Sequence, residues 1–236
     1  MQGPGKTPTP PTPPAVNRKP KTKVLLVDDH PVLRRGLSQL INQESDMMVC
    51  GEAEDAPKAF EAVGQLEPDV VVVDVSLKGS NGIELLKNLK ARYPNLPVLV
   101  LSMHDESLYA ERALRAGGLG YIMKDEAFEQ VLVAIRQVLK GDIFLSEKMK
   151  SRMLQQVAFG KGKVVNSPIE KLTDRELEVF RLIGQGHGTR QIAEELHLSV
   201  RTVEAYREYI KEKLNLKNAT ELVQHAFHWV HHQEAA

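Results

Sequence analysis

The stretch "KVLLVDDHPVLRRGL", residues 23–37, decides the fold. Val24 to Val27 form an apolar run without polar alternation, which is typical of a parallel strand buried on both faces. The run ends at two adjacent carboxylates, Asp28 and Asp29, and a helical pattern with Leu33 and Leu37 on one face follows. This order predicts a buried strand whose acidic end lies at the rim of a sheet, next to the start of a helix.

The same unit recurs along the first part of the chain. Short apolar runs alternate with helical patterns, which is typical of a parallel sheet with helices on both faces. The further runs are "MMVCGEA", "VVVVD", "VLVLS" and "GYIM", and the predicted helices cover 32–42, 56–65, 82–92, 107–116 and 127–140. The sequence therefore predicts an α/β domain with five parallel strands.

Polar side chains stand at the ends of these strands. Asp28 and Asp29 follow the first run, Asp74 ends the third, Ser102 the fourth, and Lys124 follows the fifth. In an open parallel sheet, ligands bind beyond the carboxyl ends of the strands. Three carboxylates in one crevice would repel each other, and a hard cation such as Mg²⁺ would relieve that repulsion. With a hydroxyl and an ammonium group beside them, this set suits phosphoryl transfer to a carboxylate.

These residues resemble the receiver domain of bacterial two-component response regulators over residues 23–140. The match rests on the "DD" pair, on Asp74, on Ser102 in "VLVLSM" and on Lys124 in "GYIMKD". The resemblance implies a flavodoxin-like, doubly wound sheet with strand order 2-1-3-4-5. It also implies that a sensor histidine kinase or a phosphotransfer protein phosphorylates Asp74.

The resemblance further implies a role for each residue around Asp74. Mg²⁺ would be held by Asp28, Asp29, Asp74 and the backbone carbonyl of Ser76. Lys124 would pair with the phosphate, while Ser102 and Tyr121 would change position on phosphorylation. His30, beside the acidic pair, is expected to be a loop residue rather than a metal ligand, because oxygen donors are already present.

A phosphatase is the alternative reading of the same residues. Phosphatases of the haloacid-dehalogenase type also place an aspartate nucleophile, a Ser or Thr, a Lys and acids around Mg²⁺. They need a D-x-D motif at the first strand, whereas the acids here are adjacent, so that in a strand their side chains would point in opposite directions. The candidate nucleophile is also on the third strand. We therefore expect a phosphoryl acceptor with at most slow self-dephosphorylation, and not an enzyme.

The last part of the chain reads as four helices. Thr173 with Glu176 forms a capping box before "LEVFRLIGQG", Ser199 is placed to cap the third helix, and Asn218 with Glu221 precedes the fourth. The segments "LTDRELEV", "QIAEEL", "SVRTVE" and "KLNLKNATEL" resemble the LuxR-type helix-turn-helix of the NarL/FixJ regulators over residues 171–226. This resemblance implies binding to double-stranded promoter DNA, with the recognition helix within 202–214.

The charge of this helical part is unusual for a DNA-binding domain. Residues 171–236 carry 9 basic and 10 acidic side chains, and Glu204 and Glu208 lie on the face that would meet DNA. A glutamate can accept a hydrogen bond from cytosine N4, but it also repels phosphate. Affinity should then depend on dimerisation and on basic side chains, Lys213 among them. The expected contact residues are Arg190, Arg201, Thr202, Glu204, Ala205, Arg207, Glu208, Lys211 and Lys217. The alternative is a phosphorylation-controlled protein-interaction module that does not bind DNA.

The remaining segments complete the predicted organisation. Residues 1–22 form a basic, Pro/Thr-rich tail that is expected to be disordered. The receiver domain is assigned to 23–142, a partly helical linker to 143–170 with a helix within 146–159, and the helix-turn-helix domain to 171–233. Neither a secretory signal nor an apolar run of membrane-spanning length is present, and Cys50 is the single cysteine. We therefore expect a cytoplasmic protein that does not contact membranes. The expected DNA binding also predicts a homodimer of the phosphorylated protein, in which two DNA-binding domains contact paired half-sites.

Overall fold

The structure is a computed structural model that describes residues 20–104, 106–158 and 168–233. The first 19 residues of the predicted tail and residues 159–167 of the predicted linker lie outside the described residues. The strands are β1 Thr22–Val27, β2 Met47–Ala53, β3 Val70–Asp74, β4 Ser76–Leu77, β5 Ser80–Asn81, β6 Val98–Ser102 and β7 Gly120–Met123. The first six helices are α1 Pro31–Gln43, α2 Ala56–Leu66, α3 Gly82–Arg92, α4 Glu106–Arg115, α5 Ala127–Val138 and α6 Glu147–Ala158. The C-terminal helices are the 3₁₀ helix η1 Pro168–Lys171, α7 Asp174–Gly184, α8 Thr189–Glu195, α9 Val200–Leu214 and α10 Ala219–Gln233.

Five parallel strands form the main sheet in the order β2-β1-β3-β6-β7. This confirms the predicted order 2-1-3-4-5, because β4 and β5 pair only with each other in a small antiparallel hairpin. In the register of the sheet, Val27 lies beside Val73, and Asp74 lies beside Leu101. The ends of β1, β3 and β6 therefore meet at the same edge of the sheet.

Both faces of the sheet are buried, which explains the continuous apolar runs. Leu25 and Val27 of β1 belong to one hydrophobic cluster, whereas Val24 and Leu26 belong to the cluster on the other face. Successive strand residues point to opposite faces, so a strand covered by helices on both sides needs apolar residues throughout. Each such side chain contributes roughly 1.5–3 kcal/mol when it is fully buried.

The helices of the C-terminal part begin where the capping residues predict. Thr173 accepts a hydrogen bond from the backbone N–H of Glu176, whose side chain accepts from the N–H of Thr173, so the capping box of α7 is confirmed. Ser199 caps α9 by accepting from the N–H of Thr202. Asn218 accepts from the N–H of Glu221 at 2.9 Å before α10. Each cap satisfies an N–H group that has no partner within its helix.

The segment after the sheet domain covers the edge strand β7. Phe144 donates its N–H to the carbonyl of Leu119 at 2.8 Å and accepts from the N–H of Tyr121 at 3.0 Å. The predicted linker helix follows as α6, and Met149 of this helix is buried. Edge strands expose unpaired backbone groups, so this pairing protects β7 from pairing with another chain.

The helical domain packs against the sheet domain through the start of α7. Asp174 lies between two basic side chains of the sheet domain, at 2.9 Å from Lys87 Nζ on α3 and 2.9 Å from Arg112 Nη1 on α4. Arg112 also donates to the backbone carbonyl of Leu172 at 2.9 Å. The side chain of Asp174 is only 6% exposed, so these contacts form a buried interface between the two domains. Among the described residues, no helix combines the length and the apolar character needed to cross a bilayer.

Candidate functional site

The carboxylates at the strand ends converge on Lys124, as the sequence predicts. Lys124 Nζ lies 2.6 Å from Asp74 Oδ2 and 2.8 Å from Asp28 Oδ2, and the three side chains are at most 4% exposed. The backbone N–H of Lys124 also donates to the backbone carbonyl of Ser102 at 2.8 Å, and this hydrogen bond joins the ends of β6 and β7. The pocket therefore contains two buried carboxylates, those of Asp28 and Asp74, in direct contact with the ammonium group of Lys124.

Burial makes Asp74 an unusual carboxyl group. Loss of solvation raises the pKa of Asp74 to about 7, the charge of Lys124 opposes that rise, and the nearby Asp28 adds to it. A buried carboxylate is poorly stabilised unless cations approach it, so the pocket favours additional positive charge.

The residues present fit a hard divalent cation. Among the described residues, Asp28 Oδ2 and Asp29 Oδ1 are buried and have no hydrogen-bond donor, although Asp28 Oδ2 forms the ion pair with Lys124 and Asp29 Oδ1 lies 2.8 Å from His30 Nδ1. Ligand atoms of Asp28, Asp29, His30 and Asp74 all lie within 4.8 Å of one another. Carboxylate oxygens without hydrogen-bond donors are the ligands that Mg²⁺ prefers in proteins.

The structure corrects the expected orientation of the Asp28 and Asp29 side chains. Strand β1 ends at Val27, so the alternation of a strand does not apply to Asp28 and Asp29. Both carboxylates reach the same atom, His30 Nδ1, at 3.2 Å and 2.8 Å. The argument that adjacent acids must point apart is therefore wrong here. His30 follows the strand as a loop residue, but its imidazole faces the carboxylates.

Ser76 lies beside Asp74 in the hairpin formed by β4 and β5. Its backbone N–H donates to Asp74 Oδ1 at 3.2 Å, which orients the carboxyl group. Its hydroxyl lies 2.9 Å from His104 Nε2 and 3.1 Å from Glu178 Oε1. The metal-binding role of its backbone carbonyl stays a prediction.

Ser102 and Tyr121 meet at His104, a residue that sequence reasoning missed. The His104 N–H donates to Ser102 Oγ at 3.0 Å, and the Tyr121 hydroxyl donates to the His104 carbonyl at 2.7 Å. The His104 ring is stacked on Tyr109, with ring centroids 4.6 Å apart. Burial lowers the pKa of His104 to about 3, so its ring is neutral at neutral pH. The sequence signal that could have identified His104 was its position two residues after the end of β6.

Helix α9, the predicted recognition helix, presents a mixed surface. Val203, Ile210 and Leu214 are buried against the other helices, as their spacing predicts. On the other side Arg201, Glu204 and Glu208 are exposed. Thr202, Ala205, Arg207 and Lys211 are half-buried, while Arg190 on α8 and Lys217 after α9 are exposed.

Two basic side chains of α9 have acidic partners within the same domain. Lys213 Nζ donates to both carboxylate oxygens of Glu176 at 2.8 Å and 2.6 Å, so it joins α9 to the capping box of α7. Lys211 Nζ lies 2.8 Å from Glu208 Oε2. Lys213, expected from the sequence to contribute to DNA affinity, is thus engaged in an intradomain ion pair.

Comparison with known proteins finds two matching families and relatives that cover most of the chain. Residues 24–136 match the response regulator receiver domain family, and residues 170–226 match the bacterial regulatory proteins of the luxR family. The oxygen regulatory protein NreC of Staphylococcus carnosus is 38% identical over 208 residues, covering 86% of this chain and 96% of that protein. NreC of Staphylococcus haemolyticus is 36% identical over the same length and coverage.

Solved structures of response regulators are also similar to this chain. The response regulator RcsB of Salmonella typhimurium matches with a TM-score of 0.60 and 25% identity, covering 87% of this chain and 96% of that chain. RcsB of Salmonella enterica serovar Typhimurium, bound to a promoter in the presence of phosphomimetic BeF₃⁻, matches with a TM-score of 0.57 and 26% identity, covering 88% and 98%. A LuxR-family response regulator from an Aurantimonas species matches with a TM-score of 0.55 and 30% identity, covering 59% and 99%.

Proposed function

This chain belongs to the two-component response regulators of the NarL/FixJ family, and we propose that phosphorylation of Asp74 controls its binding to promoter DNA. The observation that carries the proposal is the position of Asp74 in the pocket. Asp74 is the last residue of β3, and its carboxyl group is buried and lies 2.6 Å from Lys124 Nζ. A buried carboxylate beside one ammonium group and a cation-binding acid pair is the arrangement that phosphoryl transfer to aspartate needs.

The phosphoryl donor is a phosphohistidine of a sensor histidine kinase or a phosphotransfer protein. An Asp74 carboxylate oxygen attacks phosphorus, the bond from phosphorus to the histidine nitrogen breaks, and that nitrogen keeps the electron pair and takes up a proton. Lys124 compensates the charge on the phosphoryl oxygens. Mg²⁺, held by Asp28, Asp29, Asp74 and the carbonyl of Ser76, supplies the remaining compensation of negative charge when it is bound.

Ser102 and Tyr121 change their partners when Asp74 is phosphorylated. The Ser102 hydroxyl, which accepts from His104 in this structure, turns to donate to a phosphoryl oxygen. Tyr121, bonded to the His104 carbonyl, follows the movement of this loop. Phosphorylation thereby shifts the population between two packings of the receiver domain.

The output of that shift is DNA binding by α9 in the major groove. The proposed contact residues are those expected from the sequence: Arg190, Arg201, Thr202, Glu204, Ala205, Arg207, Glu208, Lys211 and Lys217. A structure of two RcsB dimers bound to two parallel DNAs is among the similar structures, with a TM-score of 0.53. We propose a homodimer for the phosphorylated chain as well, because two copies double the phosphate contacts that a nearly neutral domain can make.

The remaining properties follow from this role. The protein is a phosphoryl acceptor with at most slow self-dephosphorylation, and it acts in the cytoplasm, where its kinase and its promoters are available. Residues 1–22 are a tail, 23–142 the receiver domain, 143–170 the linker and 171–233 the DNA-binding domain.

The test compares DNA binding with and without beryllofluoride and Mg²⁺. Duplexes selected from a random pool by the beryllofluoride-treated protein should bind at least about tenfold more weakly to untreated protein, within the usual range of allosteric coupling. Asp74→Asn should abolish the difference, and Asp142→Asn, an exposed carboxylate after α5, should retain it. An interaction module would select no duplex, and a phosphatase would hydrolyse many small phosphate esters without accumulating an acyl phosphate. Either result would refute the proposal.

A further inference from the structure

One carboxylate of the DNA-binding domain is inserted into the receiver domain next to the phosphorylation pocket. The side chain of Glu178, on α7, is 1% exposed. Its Oε1 accepts from the Ser76 hydroxyl at 3.1 Å, and its Oε2 accepts from Asn81 Nδ2 at 3.4 Å. Arg175 of the same helix donates to Oε2 at 2.7 Å. A buried carboxylate is stable only when donors surround it, and two of these three donors belong to the receiver domain.

The direction of each hydrogen bond in this cluster is fixed by its chemistry. A serine hydroxyl has one proton, and the carboxylate of Glu178 only accepts, so Ser76 donates to Glu178. The contact of 2.9 Å between Ser76 Oγ and His104 Nε2 then requires that the imidazole donates. His104 is therefore the tautomer with its proton on Nε2.

The same histidine holds both switch residues of the receiver domain. Its backbone N–H binds Ser102 Oγ, and its carbonyl binds the Tyr121 hydroxyl. A continuous series of hydrogen bonds therefore runs from Ser102 through His104 and Ser76 to Glu178. It connects the edge of the phosphorylation pocket with the first helix of the DNA-binding domain.

We propose that Glu178 is a latch that holds the DNA-binding domain on the unphosphorylated receiver, and that His104 releases it when Ser102 turns to the phosphoryl group. This inference rests on the proposed function and assigns the coupling to specific side chains. Without Ser102 as acceptor, the His104 N–H loses its partner and the loop after β6 moves. Ser76 then loses the donor that orients its hydroxyl toward Glu178.

Contacts farther from the pocket hold the same interface but do not reach the switch residues. Asp174 binds Lys87 and Arg112, and these residues have no contact with Ser76 or His104 among those the structure gives. Lys213 of α9 is bonded to Glu176 of α7, so release of Glu178 would let α9 move away from the receiver domain together with α7.

Two receiver variants test the latch without altering the DNA-binding domain. Asn81→Asp keeps the oxygen that caps α3 through the N–H of Ile83, but places a second carboxylate opposite Glu178. His104→Phe keeps a ring stacked on Tyr109 and removes the Nε2–H donor. Asn95→Asp, in the exposed turn after α3, is the matched control for added negative charge. Each full-length variant is titrated with a duplex selected by the beryllofluoride-treated wild type, and its radius of gyration is measured by X-ray scattering.

If the latch exists, both variants bind DNA about tenfold more tightly than wild type without beryllofluoride, a factor within the usual range of coupling between sites. Their radius of gyration increases, and the effect of beryllofluoride falls by the same factor, since both changes act on one equilibrium. The beryllofluoride-treated variants should match treated wild type, which verifies that the DNA-binding domain is intact. If wild type responds and both variants respond with the wild-type factor, the latch is overturned while the proposed function stands. If wild type itself does not respond to beryllofluoride, both are overturned.

Discussion

The pocket proposed for phosphorylation and the side of α9 proposed to face DNA differ in how their charges are placed. In the pocket, Asp28, Asp74 and Lys124 are buried, and Lys124 Nζ lies 2.8 Å from Asp28 Oδ2 and 2.6 Å from Asp74 Oδ2. On α9, Arg201 and Glu204 are exposed, and no fixed partner orients them among the contacts the structure gives. A buried charge has one position and one set of partners, so each substitution in the pocket should have a large effect. Exposed charges act jointly through their summed field, so each substitution on α9 should have a graded effect.

The largest expected effect tests the pocket side of this contrast. Asp74→Asn should reduce incorporation of label from acetyl phosphate with Mg²⁺ to background, because the amide is not a nucleophile for phosphorus. Labelled protein is measured by intact mass, where one phosphoryl group is expected on wild type. Asp142→Asn should take up label as wild type does. If the Asp74→Asn protein took up label at the wild-type level, phosphorylation would not depend on Asp74.

The next effect concerns stability rather than chemistry. Lys124→Met should leave Asp28 and Asp74 facing each other without a cation, and should lower the free energy of unfolding by about 3 kcal/mol in the absence of metal. Urea unfolding with EDTA at neutral pH measures this loss. Adding Mg²⁺ should restore part of it, because the metal binds the folded protein.

The control for that experiment is Lys140→Met, which changes an exposed side chain after α5. It should alter the free energy of unfolding by less than about 0.5 kcal/mol, the usual range for surface substitutions. Equal losses for the two variants would show that Lys124 behaves as a surface lysine. Removal of this buried charge would then affect the free energy of unfolding no more than removal of an exposed charge.

The same contrast explains what the sequence could predict. The alternation of strands and helices, the convergence of Asp28 and Asp74 on Lys124, and the caps of α7 and α9 follow from local patterns. The order of the strands in the sheet came instead from the resemblance to receiver domains. Strand ends and capping motifs are short-range signals, and the parallel sheet brings strand ends together without further information. For this reason the sequence alone predicts most of the residues of the candidate pocket.

The interdomain contacts could not be predicted in this way. Glu178 lies about 100 residues from Ser76 in sequence, and in "DRELEVF" it looks like an ordinary polar position of an amphipathic helix. Nothing local indicates that its carboxylate is buried against another domain. The expectation for Lys213 missed a contact for the same reason. Its basic character suggested contact with a DNA phosphate, whereas its side chain forms an ion pair with Glu176 that joins α9 to α7. Long-range pairing of polar side chains leaves no periodic signal.

A smaller effect is expected on the DNA-facing side. Arg201→Ala and Lys217→Ala should each reduce the slope of log affinity against log salt by about 0.9, the contribution of one phosphate contact. Affinity should fall similarly for every duplex sequence, because phosphate contacts carry no sequence information. Titrations of beryllofluoride-treated protein at several salt concentrations measure both quantities. Arg35→Ala, an exposed residue on α1 of the receiver domain, should leave the slope unchanged.

The smallest effect tests whether an exposed acid on α9 reads a base. Glu204 is exposed and repels phosphate, so Glu204→Gln should raise affinity for unrelated duplexes by about threefold, in line with an exposed charge pair. If its carboxylate accepts from cytosine N4, the same variant should lose discrimination at one base pair of the selected site. Binding to single-base variants of that site separates the two effects.

Glu212→Gln provides the comparison for Glu204 because it removes another exposed carboxylate farther along the same helix. It should give at most the small general increase in affinity without any change at a single base pair. If Glu204→Gln behaves identically, Glu204 only repels phosphate, and sequence reading must come from other residues of α9. If it changes one base pair alone, the acidic residues of this helix exchange part of the affinity for specificity. The dimer and the basic residues Arg190, Arg201 and Lys217 would then have to supply the affinity that the helix lacks.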